Sequence, residues 1–486
     1  MEKELVGKRP HFRPAKSSFN IYRVMLLLGL ILAGLWLLLA AQRGQVKPLF
    51  QPTPTPTRIA GSYILEAQAY FEAGKLYDPD PPKPTPPNPD AIDAYQKALE
   101  IDPNDAQAWA ELARIQTYAI NMLSSDAERQ AKLDEALQSI NKAVELNPDD
   151  STTHAVRAFV LDWNASYARD ETKSADLLKE AEGEAVRAYQ LDPQNALALA
   201  FYAEVLLDQQ KWLQAEQYSA QAVALDPNSM DVHRVYATVL ESLGQYNSAI
   251  KEYLQAIAIN PNLTFLYVYI GRNYARLASN NPTSPLFTTA LDYYAKAADI
   301  NAQLGVTNPI PYIEIAKTYS QMGEFFIASR NAEKALSFDP TNANTYGQLG
   351  IIYVRSRNYE GAMEALRCSV RGCTADENEI AKNLVDQTLL TSSVSVEGLP
   401  LTNLTVAYYY VEYGTVLAFL SRPNQNNCPE ATDILEQVRA QYADDPILMS
   451  IVADSEGICA RVGSGAPPPE PTVEMPETTP TPGSSP

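Results

Sequence analysis

Small and apolar positions recur along this chain at i, i+4 and i+7, and a proline closes most of these triplets twelve positions after the first residue. The phrase reads Ala91, Tyr95, Ala98, Pro103, and then Ala136, Ile140, Ala143, Pro148. It returns at Ala181, Ala185, Ala188, Pro193, at Ala215, Ser219, Ala222, Pro227, and at Ala249, Tyr253, Ala256, Pro261. A variant without the proline stands at Ala290, Tyr294 and Ala297, and the full form closes with Ala328, Ala332, Ala335, Pro340. Residues at these offsets share one face of an α-helix, and small ones let a neighbouring helix come close. The residue before each proline is pushed out of the α region, so each helix stops there, and a following Asn or Asp caps the next. Pro193, Pro227 and Pro261 are 34 residues apart, whereas Pro103, Pro148 and Pro193 are 45 apart. Repeats two and three therefore carry eleven extra residues each.

A second helix precedes each phrase. Six residues after Pro103 stands Trp109, followed by Leu112 and Ala113. The same offsets give Tyr267, Ile270, Gly271 and Tyr274 after Pro261, then Tyr312, Ile315, Ala316, Tyr319 and Gly323, then Tyr346, Leu349, Gly350 and Tyr353. A large residue, a small one four later and an aromatic three beyond make a knob, a close contact and another knob. This pattern resembles the tetratricopeptide repeat family over about residues 60–461. The resemblance implies an all-α, right-handed α-solenoid of about nine helical hairpins. Repeat one is split by a Pro-rich insert. Repeat nine keeps Tyr410, Gly414 and Leu417, but its Pro446 comes late. Ile447–Val462 reads as a helix capping the open end. Residues 60–373 hold repeats one to eight, 374–404 form an insertion that is irregular or briefly extended near Val396–Pro400, and 405–462 hold repeat nine and the cap.

Ahead of the repeats, Val24–Ala41 runs eighteen residues without a charge. As a helix it is about 27 Å long, close to the bilayer's hydrocarbon thickness, and it has no polar face. Tyr22 and Trp36 suit the two interfaces, and Arg23 and Arg43 bracket the run. A cleaved signal peptide is the rival reading. Its apolar region is shorter and ends in small residues, whereas here Leu39 stands two before Ala41. The balance favours an uncleaved transmembrane anchor at 24–41. Six Lys or Arg precede it within residues 1–23, so the positive-inside rule keeps that segment cytoplasmic and sends the C-terminal body across. The Pro/Thr-rich linker 42–59 and the stretch Asp78–Pro89 are too proline-rich for helix. The tail 463–486 has almost nothing to bury and is expected to be disordered.

Charge changes the picture of partners. The net charge is −20. Residues 1–43 carry +5, which leaves −25 on the rest and argues against nucleic acid, whose phosphates need a positive surface. No P-loop, dinucleotide glycine motif, HExxH or GxSxG occurs, so no catalytic residue, cofactor, metal or small-molecule substrate is assigned. His154 and His233 fall at the large knob position and read as packed repeat residues. Asn164, Asn262 and Asn403 begin glycosylation triplets of a kind common by chance. Four cysteines, Cys368, Cys373, Cys428 and Cys459, stand in the last quarter. In an oxidising compartment Cys428 at the start of one helix and Cys459 near the end of the next come together. Cys368 and Cys373 pair if the chain turns at Gly372; the other reading is four buried thiols.

The resemblance also implies a function: binding of proteins or extended peptides along the first helix of each pair. Carrying the family's groove offsets onto this chain gives Arg234, Arg272, Arg276, Lys317 and Arg355 as a cationic track. Phe265 and Tyr269 stand beside it, with Phe159 and Phe201 further back. Such a track suits an acidic or carboxylate-ended peptide; the other reading is a row of solvated charges pairing with local acids such as Glu241 and Glu314. The family's dicarboxylate clamp is not reproduced in full. A membrane-tethered scaffold is thus the leading expectation. A cell-envelope structural or glycan-binding protein is the alternative, resting on 28 Tyr and the Pro-Thr stretches.

Overall fold

The computed structural model describes residues 20–42, 58–78, 89–123, 125–168, 170–279, 281–384, 394–422 and 424–463. The basic segment before Asn20, the Pro-Thr stretch, nearly all of the Pro-rich insert in repeat one and the tail lie outside the described residues. Residues 1–58 and 59–486 form two separate compact units. In the first, α1 (Ile21–Gln42) extends the apolar run by a few residues at its start and is long and apolar enough to cross a membrane. Its described large side chains, among them Leu26, Leu30, Ile31, Leu35 and Trp36, stand exposed, which in water is costly and in lipid is not.

The second unit is an α-solenoid of nine helical pairs among the described residues. The first pair is α2 (Ala60–Glu72) with α3 (Ala91–Ile101), followed by α4 (Ala106–Ala119) with α5 (Asp126–Leu146). Then come α6 (Ser151–Tyr167) with α7 (Glu171–Leu191), α8 (Ala196–Asp208) with α9 (Trp212–Leu225), and α10 (Met230–Ser242) with α11 (Tyr246–Ile259). The next are α12 (Thr264–Ala278) with α13 (Pro285–Leu304), α14 (Ile310–Gln321) with α15 (Phe325–Phe338), and α16 (Ala343–Arg355) with α17 (Tyr359–Val370). The short β1 (Gly372–Cys373), α18 (Glu379–Asn383) and β2 (Val396–Glu397) intervene before α19 (Leu404–Leu420) with α20 (Cys428–Tyr442) and the cap α21 (Pro446–Gly463). The extra residues of repeats two and three lengthen α5 and α7 to 21 residues each, against 14 in α9 and α11.

The repeated residues do the packing. Ala136, Ile140, Ala143, Ala181, Ala185, Ala188, Ala215, Ala222, Ala249 and Ala256 are all fully buried. Close approach explains the glycines in the first helices. A Cβ on Gly271 would lie 2.4 Å from Cε1 of Tyr294, and one on Gly350 would lie 2.5 Å from Cγ of Leu366. The large knob has a second role. Trp109 Nε1 donates to the carbonyl of Pro103 at 3.0 Å, Tyr267 to Pro261 at 2.8 Å and Tyr346 to Pro340 at 3.1 Å. His154 and His233 place Nε2 2.9 Å from the carbonyls of Pro148 and Pro227. A polar-tipped ring therefore satisfies the proline carbonyl at these five inter-repeat turns, which accounts for both histidines. The cap lies two residues after the proline: Asp105, Asp150, Asn195 and Asn342 each accept a first-turn N–H.

The turn inside the pair repeats in five of the nine pairs. Lys75, Lys211, Gln245, Glu324 and Asn358 each donate an N–H to the carbonyl five residues back, at 2.8–2.9 Å. The residue before each is left-handed: Gly74, Gln210, Gly244, Gly323 and Arg357. In the insertion, β1 pairs antiparallel with β2, matching Cys373 with Val396. Asn378 caps α18 and sends Nδ2 to the Tyr346 hydroxyl at 2.9 Å, so the insertion is docked on repeat eight.

Candidate functional site

First-helix side chains face the inside of the solenoid, and its two halves use that face differently. In repeats two to five the face is closed by its own side chains, with Phe265 at the start of repeat six packed against them. Arg234 on α10 is 2% exposed and grips Glu204 on α8 with both terminal nitrogens, at 2.6 and 2.7 Å. Its Nε donates to the Tyr118 hydroxyl on α4 at 3.0 Å. That hydroxyl in turn donates to Asp231, whose other oxygen takes Arg114 Nη1 at 2.9 Å. The Arg234 guanidinium lies over the rings of Tyr118, Phe159 and Trp163 at 5.4–5.8 Å. Tyr118 stacks on Phe265 of α12 at 5.6 Å, and Phe159 stacks on Phe201 at 4.5 Å. Burial works against the charge on Arg234, but Glu204 and Tyr118 more than restore it, holding its pKa well above the ordinary value.

The contacts of Arg114 and Tyr118 with Asp231, Arg234 and Phe265 join residues more than a hundred positions apart, so repeat two meets repeats five and six across the axis. Two further ties close the same circuit. Asn262 Nδ2 reaches the Glu72 carbonyl at 3.3 Å, and Asn308 Nδ2 reaches the Asn121 carbonyl at 2.6 Å. Expectations for this half are therefore corrected. Arg234, Phe265, Phe159 and Phe201 are interior residues, and Arg234 already holds a carboxylate from its own chain.

The second half is open. Arg272 and Lys317 retain side-chain exposures of 38% and 39%, and both bind Glu314, at 3.0 and 3.2 Å. Burial opposes the charge on Glu314, yet these two cations hold its carboxyl down at about 2. Tyr269 is half-buried, packs on Tyr253 at 5.4 Å and carries Arg272 over its ring at 5.8 Å. Arg276 is exposed at the end of α12. Arg355 is half-buried and donates to the Ser320 hydroxyl at 3.2 Å. Of the groove residues expected from sequence, the structure thus brings Tyr269, Arg272 and Lys317 together around Glu314 and places Arg355 one helix further on. Sequence reasoning missed Tyr118, Glu204, Asp231, Gln321 and Glu412. Glu314 was legible as a local acid for the cationic track, since it stands one turn before Lys317 on the same face.

Both cysteine pairs are joined, Cys368 with Cys373 across the turn at Gly372, and Cys428 with Cys459 between α20 and α21. Asn164 is 3% exposed and donates to the carbonyls of Leu133 and Val160, so this asparagine lies in the interior.

A tetratricopeptide repeat model matches residues 94–138, and a second tetratricopeptide repeat model matches residues 203–263. Among solved structures, TTC0263, a thermophilic tetratricopeptide protein of Thermus thermophilus, is 19% identical, with a TM-score of 0.35 over 45% of this chain and 98% of its own. YrrB, a tetratricopeptide protein with an unusual peptide-binding site, is 18% identical, with a TM-score of 0.30 over 46% of this chain and 99% of its own. No curated protein matches. The two matched stretches and the packing of adjacent helical pairs support the tetratricopeptide repeat family and the role of a protein-interaction scaffold.

Proposed function

We propose that this chain is a membrane-tethered scaffold, anchored through α1, that holds extended segments of protein partners on the extracytoplasmic side and catalyses no reaction. The observation that carries the binding site is the contrast along the inner face. Repeats two to five spend their inward polar groups on one another, while Arg272, Lys317 and Arg355 in repeats six to eight stay within reach of water. A solenoid needs no such open charged row for stability, because exposed ion pairs contribute little. The tether rests on the length and apolar character of α1, and the orientation on the basic residues before it. Many tyrosines are spent on packing or on carbonyls, as at Tyr267, Tyr346 and Tyr410, which weakens the glycan-binding alternative.

Two experiments test this. A reporter active only in the cytoplasm, fused after Pro486, stays silent; activity overturns the orientation. The immobilised full chain captures discrete proteins, and the charge reversal Arg272→Glu/Lys317→Glu reduces that capture. Unchanged capture by the variant overturns the site, and capture of insoluble wall glycan in place of protein favours the alternative.

A further inference from the structure

Tyr267, Tyr346 and Tyr410 spend their hydroxyls on backbone carbonyls. Tyr274 of α12 and Tyr293 of α13 do not. Both are half-buried, and neither hydroxyl has a hydrogen-bond partner among the described residues. Their rings stack on each other, with centroids 5.7 Å apart and planes 17° from parallel, and Tyr267 adjoins Tyr293 at 6.5 Å. The Lys296 ammonium stands over the Tyr267 ring, 5.0 Å from its centroid. Lys296 is exposed and has no carboxylate within ion-pair distance among the described residues, although Asp292 and Asp299 lie four before and three after it on α13. Tyr267 and Tyr274, seven apart, share a face of α12 opposite to the one that carries Tyr269 and Arg272. The patch therefore lies off the inward row.

Tyrosine pairs with free hydroxyls suit polyproline II segments, whose prolines pack on the rings and whose carbonyls, lacking internal hydrogen bonds, accept from the hydroxyls. A lone cation beside them favours a segment that carries a carboxylate among its prolines. This chain holds one after α21: Pro476–Pro482 reads PETTPTP. The Cys428–Cys459 bond places the end of α21 beside the start of α20, so α21 runs in the same sense as the first helices. It ends on the rim where α12 ends, and Tyr274 stands four residues before that end. From α12 to α21, by way of α14, α16 and α19, each helix packs on the next. Four such steps at about 10 Å each span about 40 Å. From Gly463 to Pro476 the chain advances thirteen residues, which as polyproline II also covers about 40 Å.

We infer that Pro476–Pro482 of the chain's own tail docks on Tyr274 and Tyr293 as an extended segment, with Glu477 paired to Lys296. The docked tail lies clear of Arg272 and Lys317, so this site and the open inward row are separate and can be filled together. The tether also keeps the segment at a high local concentration, so a weak intrinsic contact is enough to hold it. The inference goes beyond the scaffold reading, whose own test is the capture of partners.

The test uses the full chain with a diazirine analogue in place of its methionines, Met475 beside the segment among them, as a mixture of isotopically light and heavy molecules. Irradiation and peptide mapping are expected to join Met475 to α12 or α13 near Tyr274, Tyr293 or Lys296, within molecules of one label. Lys296→Glu changes an exposed side chain and lowers that yield roughly two- to fivefold, the range an exposed ion pair supplies. Adding Glu477→Lys restores the yield, which a damaged fold could not do. Tyr293→Leu, which keeps an apolar filling, lowers the yield several-fold. Crosslinks from Met475 to the inward row around Arg272 and Lys317 overturn the proposal in favour of a tail in the groove. Crosslinks joining light to heavy molecules overturn it in favour of a second copy's tail. Unchanged yields in Lys296→Glu and Tyr293→Leu also overturn it. So does the absence of any crosslink from Met475 to the solenoid, which leaves the patch to an outside partner.

Discussion

Arg234→Met is the sharpest perturbation of the closed half. It removes the cation and leaves Glu204, 7% exposed, with Trp163 Nε1 at 3.2 Å as its remaining donor. The Tyr118 hydroxyl loses one partner and keeps Asp231. An uncompensated buried charge of this kind costs about 3–5 kcal/mol. Replacing both partners, as in Arg234→Met/Glu204→Leu, puts apolar side chains among Tyr118, Phe159 and Trp163 and costs far less, about 0–1.5 kcal/mol. A solenoid loses cooperativity easily, so a local readout is better than a global melt. Hydrogen exchange at the α4 and α10 amides that open together with the network accelerates roughly a hundred- to a few thousand-fold in the single variant and largely recovers in the double. A single variant that exchanges within fivefold of the parent, or a double variant worse than the single, would refute the claim that this pair locks the axis.

Other outcomes follow from local geometry. Gly271→Ala forces Tyr294, 1% exposed, out of its place and destabilises repeat six by about 1–3 kcal/mol, read by urea denaturation. Arg357→Gly stabilises repeat eight by about 0.5–1 kcal/mol, because Arg357 holds a left-handed φ of 62°; a loss of stability would refute the strain. Burial raises Asp90 to about 6, against the N–H groups of Asp93 and Asp78 that lower it. A carboxyl raised above its unfolded value contributes stability that is full below about 4 and lost as pH rises through about 6, while Glu314, held near 2, loses its contribution as pH falls below about 4. For these two groups stability is therefore highest near pH 4, and Asp90→Asn flattens the fall between about pH 4 and 6; an unchanged profile contradicts this.

The repeat was legible because its rules are local. The Ala triplet, the proline and the knob lie within one helical pair, and each meets its partner a few residues away, as Trp109 meets Pro103. The shared turn was half hidden, since Gln210 and Arg357 occupy a position where glycine would have announced it. The inner face was legible only in part. Arg234 and Arg272 differ by 38 positions, and both lie on the inward face of a first helix. No local pattern tells them apart, since what buries Arg234 is Tyr118, 116 residues upstream. Closure across the axis depends on how tightly the whole array curves, and lengthened helices α5 and α7 sit within the closed part. Glu412 escaped notice because repeat nine departs from the spacing that located the other inward positions.

Hydrogen exchange on the full chain, with and without a captured protein partner, tests the central claim most directly. Protection is expected along α12, α14, α16 and α19, with α4, α6, α8 and α10 unchanged, because their inner face is already occupied by Arg234, Glu204 and Tyr118. Protection confined to α4, α6 and α8 would contradict the division of the solenoid into a closed half and a binding half.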